Sequence, residues 1–478
     1  MPLAVSLIFP YLFGLGALLA LLCGSIREQV GGSGDAVALQ RLACCLIFGI
    51  GLNHFLVLLL SDLKISLITG CFLSCGAFLF LLLRHPGTVR QLCSAQRLAL
   101  CAAFYIACLY VVLGEPVSGW DARSIWFLHG KMIFYSGSVD AGKNWLVPSL
   151  SFSHLDYPNL VPIIAAQVAL LAGYWNEYLP KLSLVALLLP ALLLLLSLFW
   201  GKWRRLLLIA IPLLFTWPWL KNGYMDGYLA LYAGLAAFYL GRWLERFDRL
   251  DLVTGLVACV IVLQLKNEGM LYVPIVAAVA TFFLLLKRSR RDGRPGAGDT
   301  TSLTPAPLPK GEGRQAGPRL QWGEVREGLV LVAFAFSGWG LWERKKHLFK
   351  LKNDLNLGLQ SLDMVQQRLS DGSLGVILKY LYVVNNVNLS LGILLLSLVW
   401  NLRKGNRPGV GALFCMLVGG LYFSGIVAIY LATPHDLISF HLPTGERTML
   451  PVHIILLAAS LSLFTALHSP DGRSQRDS

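Results

Sequence analysis

Long apolar runs separated by short polar breaks dominate the chain. "LSLVALLLPALLLLLSLFW" (182–200) and "MLYVPIVAAVATFFLLL" (270–286) are typical. Each approaches the roughly 20 residues that carry an α-helix across a bilayer, the structure that satisfies its own backbone hydrogen bonds in lipid. A transmembrane β-barrel would instead show alternating segments of about 10 residues, and none are visible. The pattern predicts about 13 spanning helices, at 3–23, 42–60, 65–83, 97–114, 182–200, 206–219, 226–241, 252–265, 270–286, 328–342, 387–402, 409–431 and 448–467. The expected class is an all-α polytopic membrane protein. Segment 161–173, "VPIIAAQVALLAG", is short for a span and is expected to lie along the outer surface as an interfacial helix. A second interfacial helix is expected after Asp121, where Ile125, Trp126, Leu128, Ile133 and Phe134 recur at helical intervals.

Composition supports this reading. The 478 residues are 56% hydrophobic and only 14% charged, whereas soluble domains average about 25% charged. The formal net charge of +14 would suit nucleic acid, but its placement does not. Runs such as "KRSRRDGR" (287–294) and "RKGNR" (403–407) fall on one side of the expected topology, which the positive-inside rule makes cytoplasmic. The first apolar segment has no basic residue before it, and Arg27 follows, the reverse of a cleavable signal peptide. The expectation is a multi-pass protein of a bacterial-type inner (plasma) membrane, N-terminus outside, without a nucleic-acid partner. Its ten cysteines lack metal-ligand spacing and fall in or beside helices, as small apolar residues do. Residues 1–96 form a first block of helices and 97–287 a core with a large outer loop at 115–181. Residues 288–327, rich in Gly, Pro and charge, are expected to be a disordered cytoplasmic linker. Residues 328–467 carry further helices with outer loops at 343–386 and 432–447, and 468–478 is a cytoplasmic tail.

The polar residues that matter gather on the outer side: Asp121, His154, Asp156, Tyr157, Lys221, Tyr224, Asp226, Lys266, Glu268, His441, Glu446 and Arg447. Acids near a bilayer are costly to bury and mark functional sites by default. Asp121 would serve either as a general base, taking a proton from an attacking hydroxyl, or as a helix N-cap. Asp121, His154 and Asp156 also form a mixed donor set for a divalent metal, with a hydrogen-bonded loop as the plainer alternative. Lys221 with Asp226 and Lys266 with Glu268 sit in tight outer turns. Arg447 can hold a phosphate bidentately; in "ERKKHLFKLK" (343–352), Arg344 and Lys345 add positive charge, with lipid headgroups as the alternative anion.

Taken in order, Asp121 in the first large outer loop, "DYPNLVP" (156–162), "NGYMDGYLALYAG" (222–234), "LKNEG" (265–269) and "FHLPTGERTMLP" (440–451) resemble the GT-C superfamily of polytopic glycosyltransferases. The likeness is to the branch of dolichyl-phosphate-mannose–protein mannosyltransferases and aminoarabinose transferases. It covers about 97–287, is weaker at 430–452 and is absent from the first 95 residues. Two positions depart from the family: Asp121 is followed by Ala122 and Arg123 rather than a second acid, and Asn159 stands where a double-proline turn is usual. The resemblance implies transfer of a sugar, with inversion, from a polyprenyl-phosphate donor to an extracytoplasmic lipid, glycan or protein acceptor. It implies Asp121 as base, with Asp156 and Asp226 in support. Arg447, Lys266, Arg344, Lys345 and His441 would bind the donor phosphate, and Trp120, Tyr157, Glu268 and Tyr224 the sugar or acceptor. No organic cofactor is implied, and a divalent metal stays open. An O-antigen ligase or polymerase and a lipid-linked sugar transporter or flippase are the competing readings.

Overall fold

The computed structural model describes residues 6–22, 34–92, 94–140, 147–199, 203–292, 322–351 and 359–466. Among these the chain is helical throughout. In order, the helices are α1 (Ile8–Leu22), α2 (Gly34–Leu60), α3 (Leu63–Arg84), α4 (Pro86–Leu92), α5 (Ala95–Leu113), α6 (Phe127–Ser136) and α7 (Leu160–Ala172). They continue with α8 (Leu182–Phe199), α9 (Trp203–Lys221), α10 (Asp226–Arg246), α11 (Arg249–Leu265), α12 (Gly269–Asp292), α13 (Trp322–Phe349) and α14 (Leu359–Ser370). The last five are α15 (Ser373–Leu378), α16 (Val387–Arg403), α17 (Val410–Ala432), α18 (Gly445–Thr448) and α19 (Leu450–Ala466).

Every expected span falls on a helix, but by length and apolar content seven helical stretches qualify to cross a membrane, or eight if the bent pair Ser373–Val384 and Val387–Arg403 counts as one. Two expectations change at the linker. Residues 288–292 continue α12 and 322–327 open α13, because the charged flanks of apolar helices remain good helix formers; residues 293–321 and the tail from 467 lie outside the described residues.

The first block of helices is not peripheral. α2 runs through the centre of the bundle, buried over most of its length, against α1, α8, α11 and α13. Glycine sets the α1–α2 spacing: a Cβ on Gly16 would fall 1.6 Å from the Cys45 carbonyl oxygen, and one on Gly49 1.7 Å from that of Leu12. Such backbone contact is how membrane helices associate where lipid removes the hydrophobic drive.

α7 is the clearest correction. Residues Leu160–Ala169 are all buried, so the helix is enclosed by protein rather than lying on the surface. Its sequence is apolar on every side, which is the pattern of a buried helix rather than of an amphipathic one. Its one amide, Gln167, exchanges two 2.8 Å hydrogen bonds with Asn53 of α2, and Tyr11 of α1 donates to the same Asn53 at 2.7 Å.

Contacts between distant turns sort the polar residues into two ends. Ser61, Asp140 and Lys345 meet at one end, where Asp121 meets Arg447 and Asp226 meets Lys266. Asp35 with Arg97, Arg242 with Asp251, and Glu245 with the Gly411 amide occupy the other.

Candidate functional site

Asp121 opens a π-helical turn, Ala122–Trp126, that runs directly into α6, and its side chain caps no backbone amide. It reaches instead across 326 positions to form an ion pair with Arg447. The N-cap alternative for Asp121 is therefore overturned: the carboxylate is spent on a long-range contact. Arg447 lies on the short helix α18, and its guanidinium sits 5.4 Å over the ring of Tyr224, within the range of cation–π attraction. Tyr224 in turn packs edge-on against Trp219 at 5.2 Å.

A second charged group lies alongside. Lys266, at the turn between α11 and α12, donates to Asp226 Oδ1 at 2.9 Å and to Glu268 Oε1 at 2.7 Å. Lys266, Asp226 and Asp156 are all at most 3% exposed. Burial alone would push the Lys266 ammonium pKa down, but Asp226 and Glu268 hold it well above the ordinary lysine value. Arg447 acts on the same ammonium in opposition, so the two clusters lie within electrostatic reach of one another. Asp226 Oδ2 and Glu268 Oε2 are buried and accept no hydrogen bond. In an apolar surrounding such oxygens are costly unless a further donor arrives.

The "HLDYPNLVP" turn supplies the third part. A short 3₁₀ turn, Pro148–Ser153, ends at His154 with φ 47°, a left-handed conformation that reverses the chain. His154 stacks on Tyr157 at 5.1 Å, Tyr157 meets Trp126 at 5.4 Å, and Lys266 Nζ lies 5.9 Å from the Tyr157 ring centre. Burial, followed by the nearby Glu268 charge, raises the Tyr157 phenol pKa above its usual range, so this tyrosine stays protonated and can donate. Asp156 accepts from Asn267 at 2.6 Å through its side chain and from the Trp342 indole at 3.0 Å through its carbonyl.

Five elements distant in sequence thus deliver Asp121, Asp156 with Tyr157, Tyr224 with Asp226, Lys266 with Glu268, and Arg447 to one cluster. No family model, curated protein or solved structure matches the chain. The arrangement must be read from its own chemistry. It offers four carboxylates of differing engagement, two cations and a wall of aromatic rings, buried at one end of an apolar bundle.

Other residues named from sequence fall elsewhere. Lys345 is buried but engaged by Asp140 and, at 3.0 Å, by Ser61 Oγ, so its charge is spent on joining α13 to the α2–α3 turn. Arg344, one position away, is exposed. His441 stands on the flank, its ring edge-on to Tyr430 at 4.9 Å and stacked on His435 at 5.8 Å. Trp120 is 70% exposed beside Phe152, at the rim. Asp121, His154 and Asp156 do not assemble as a metal site, and among the described residues no group of three His, Cys, Asp or Glu side chains has metal-holding geometry. Asp121 faces Arg447 and Asp156 faces Asn267 instead.

Three residues of this end carry no obvious sequence signal. Trp342 holds the Asp156 carbonyl. Tyr430 shares its hydroxyl with Thr444 and Thr448, at 3.1 and 3.2 Å, beside Arg447. His129 lies buried under the loop, within 3.2 Å of Asn159 and 3.0 Å of the Ser153 carbonyl; its place on an otherwise apolar face of α6 was the only available hint.

Proposed function

We propose that this chain is a membrane glycosyltransferase that moves a sugar from a polyprenyl-phosphate donor to an acceptor hydroxyl outside the cytoplasm, with inversion, in a bacterial-type inner membrane. The observation that carries the reading is the Asp121–Arg447 ion pair beside the Lys266–Asp226–Glu268 cluster. Such a transfer needs one carboxylate to take the acceptor proton and fixed cations to stabilise the departing phosphate. Asp121 is the base, and Arg447 with Lys266 receives the phosphate. A phosphate arriving at Arg447 competes with Asp121 for the guanidinium, which leaves the carboxylate freer to accept a proton. Asp156 and Asp226 orient the acceptor and Lys266, and Tyr157, Tyr224, Glu268 and Trp120 line the path of sugar or acceptor. Any divalent metal would have to recruit donors beyond the Asp121, His154 and Asp156 set.

An apolar groove supports the same reading. Leu231 and Leu235 of α10, Ile454 and Leu461 of α19, Pro212 of α9 and Ile393 of α16 line it. α10 begins at Asp226 and α19 just after Arg447, and Leu231 is about 7.5 Å along α10 from Asp226 at 1.5 Å per residue. An isoprenoid tail whose phosphate sits at Arg447 would run down this groove.

A lipid-linked sugar transporter is the second reading, favoured by one feature: the helix broken by 62° between Val384 and Val387, since discontinuous helices frame many transport sites. One assay separates the two. Protein reconstituted with a polyprenyl-phosphate sugar and a panel of lipid, glycan and protein acceptors should transfer sugar, and Asp121→Asn should lower the rate by about 10²–10⁴-fold. Transfer that survives the substitution removes Asp121 as base; translocation without transfer supports the transporter.

A further inference from the structure

Residues 160–169 are buried, but another helix, α14, is amphipathic on its exposed surface. α14 presents three strips. Arg368 faces inward, donating to the carbonyls of Tyr430 at 2.7 Å, Leu431 at 3.3 Å and His435 at 2.9 Å, the uncovered end of α17. Asp363, Gln366, Gln367 and Ser370 share one exposed flank. Leu362 and Leu369, seven residues apart and thus on one side of a helix, are 68% and 53% exposed on the other flank. Further apolar side chains are exposed along the next segment, with Lys379 exposed among them. Val376, Val383 and Val384 are each about half exposed, and beyond the bend at Asn385–Asn386 the exposed face of α16 carries Leu389 and Leu396. α16 is the long half of the bent pair apolar enough to span a membrane, so its exposed leucines face lipid.

We infer that α14 and Ser373–Val384 form a shelf seated on the bilayer, with Leu362, Leu369 and the valines among lipid chains and the Asp363–Gln367 flank in water. A helix split between an apolar and a polar exposed flank suits the interface plane, and a contiguous exposed apolar face needs a partner. Lipid is the occupant because Ser373–Val384, which follows α14 directly, passes with α16 as one bent pair apolar enough to span a membrane. The inference rests on membrane insertion and not on the sugar-transfer reading.

The shelf grips the loop that bears Arg447 from two directions. Arg368 holds the carbonyl of Tyr430, whose hydroxyl meets Thr444 and Thr448. On the other side Leu381 and Asn385 press on Gly445, where an added Cβ would lie 3.0 Å from the Asn385 amide. The seating of the shelf thereby constrains the loop that carries Arg447.

The full chain in nanodiscs of phosphatidylethanolamine and phosphatidylglycerol tests this. One sample carries a phospholipid with a diazirine near the head of its acyl chain, and a parallel sample receives a water-soluble diazirine; labelled peptides are mapped by mass spectrometry. Leu362, Leu369, Val383 and Val384 should take the lipid reagent at least fivefold over the aqueous one, and Asp363 and Gln367 the reverse. Aqueous labelling of Leu362 and Leu369 as strong as that of Gln367 would overturn the shelf. So would protection of both leucines from both reagents, the result expected if a protein covers them.

Discussion

The two ends of the bundle are built from the same charged residue types and use them differently. At the end away from the site, acids serve the helices. Asp248 accepts from the Leu250 and Asp251 amides at 2.8 and 3.1 Å, Glu245 accepts from the Gly411 amide at 2.8 Å, and Asp251 is held by Arg242 at 3.1 Å and by Gln40. Carboxylates there cover helix N-termini, where free amides and the helix dipole favour them. At the site end neither Asp121 nor Asp156 caps a helix. Four acids crowd two cations, and oxygens of Asp226 and Glu268 are left without donors. The contrast is one of convergence. Asp251 Oδ2 also accepts no hydrogen bond, but at the site end carboxylates from four separate turns gather on two cations, which helix capping does not require and which suits a site for another molecule.

The strongest way to break this comparison is to remove one cation at each end. Lys266→Met leaves Asp226 and Glu268 buried without their partner, and breaking a buried pair typically costs about 3–5 kcal/mol. Arg242→Met strands a single acid that Gln40 still contacts, and the Arg242 side chain is partly exposed, so its cost should be nearer 2 kcal/mol. Thermal unfolding in detergent would rank them. Transfer per folded molecule should fall by at least about 100-fold in Lys266→Met and stay within about threefold in Arg242→Met. Equal losses of transfer would mean that both ends, or neither, hold the site.

Next in size is a pH effect confined to the site end. Burial holds the His129 pKa down to about 4, against its hydrogen bonds to Asn159 Oδ1 and the Ser153 carbonyl, acceptors that favour the charged form. The folded state thus prefers the neutral ring. That contribution is complete above the ordinary histidine value of about 6.5 and is lost as pH falls towards 4. The loss between pH 7 and 4 should be about 2–3 kcal/mol, seen as a falling unfolding temperature. His129→Gln, which cannot titrate, should remove this share of the slope and leave that of other histidines whose pKa burial lowers, such as His441. A slope unchanged in the variant would clear His129 of the role.

How far each end could be read from sequence follows from the same contrast. Apolar runs announce membrane helices because a span must be apolar along its length, and so each expected segment fell on a helix. Among the described residues, however, only seven helices, or eight with the bent pair, are long and apolar enough to cross a membrane. Asp121, Asp226, Lys266 and Arg447 were legible as a group, because alternating helices allow them only one side. What failed was anything set by a partner. Lys345 read as a free cation until Asp140 was beside it. Length alone predicts a surface helix for α7, whereas its lack of a polar face argues for burial. α14 carries the amphipathic spacing of Leu362, Val365 and Leu369, beside a basic run whose charge is the stronger sequence signal. Trp342, through one hydrogen bond, and Tyr430, through two, enter the site by contacts that no periodicity records.

The smallest effect sharpens the comparison most. Gln40, buried on α2, donates to Thr254 at 2.9 Å and to Asp251 at 3.3 Å, joining the first helices to α11 at the end away from the site. Gln40→Leu keeps the volume and removes both bonds, leaving Asp251 with Arg242. The cost should be about 1–2 kcal/mol, read as a modest fall in unfolding temperature, with transfer unchanged within about twofold, because the lost bonds hold helices and touch nothing near Arg447. If transfer instead dropped tenfold in protein that remains folded, α2 would have to carry information between the ends. Its Asn53–Gln167 and Tyr11 bonds, further along the same helix towards the site, would then be the next place to cut.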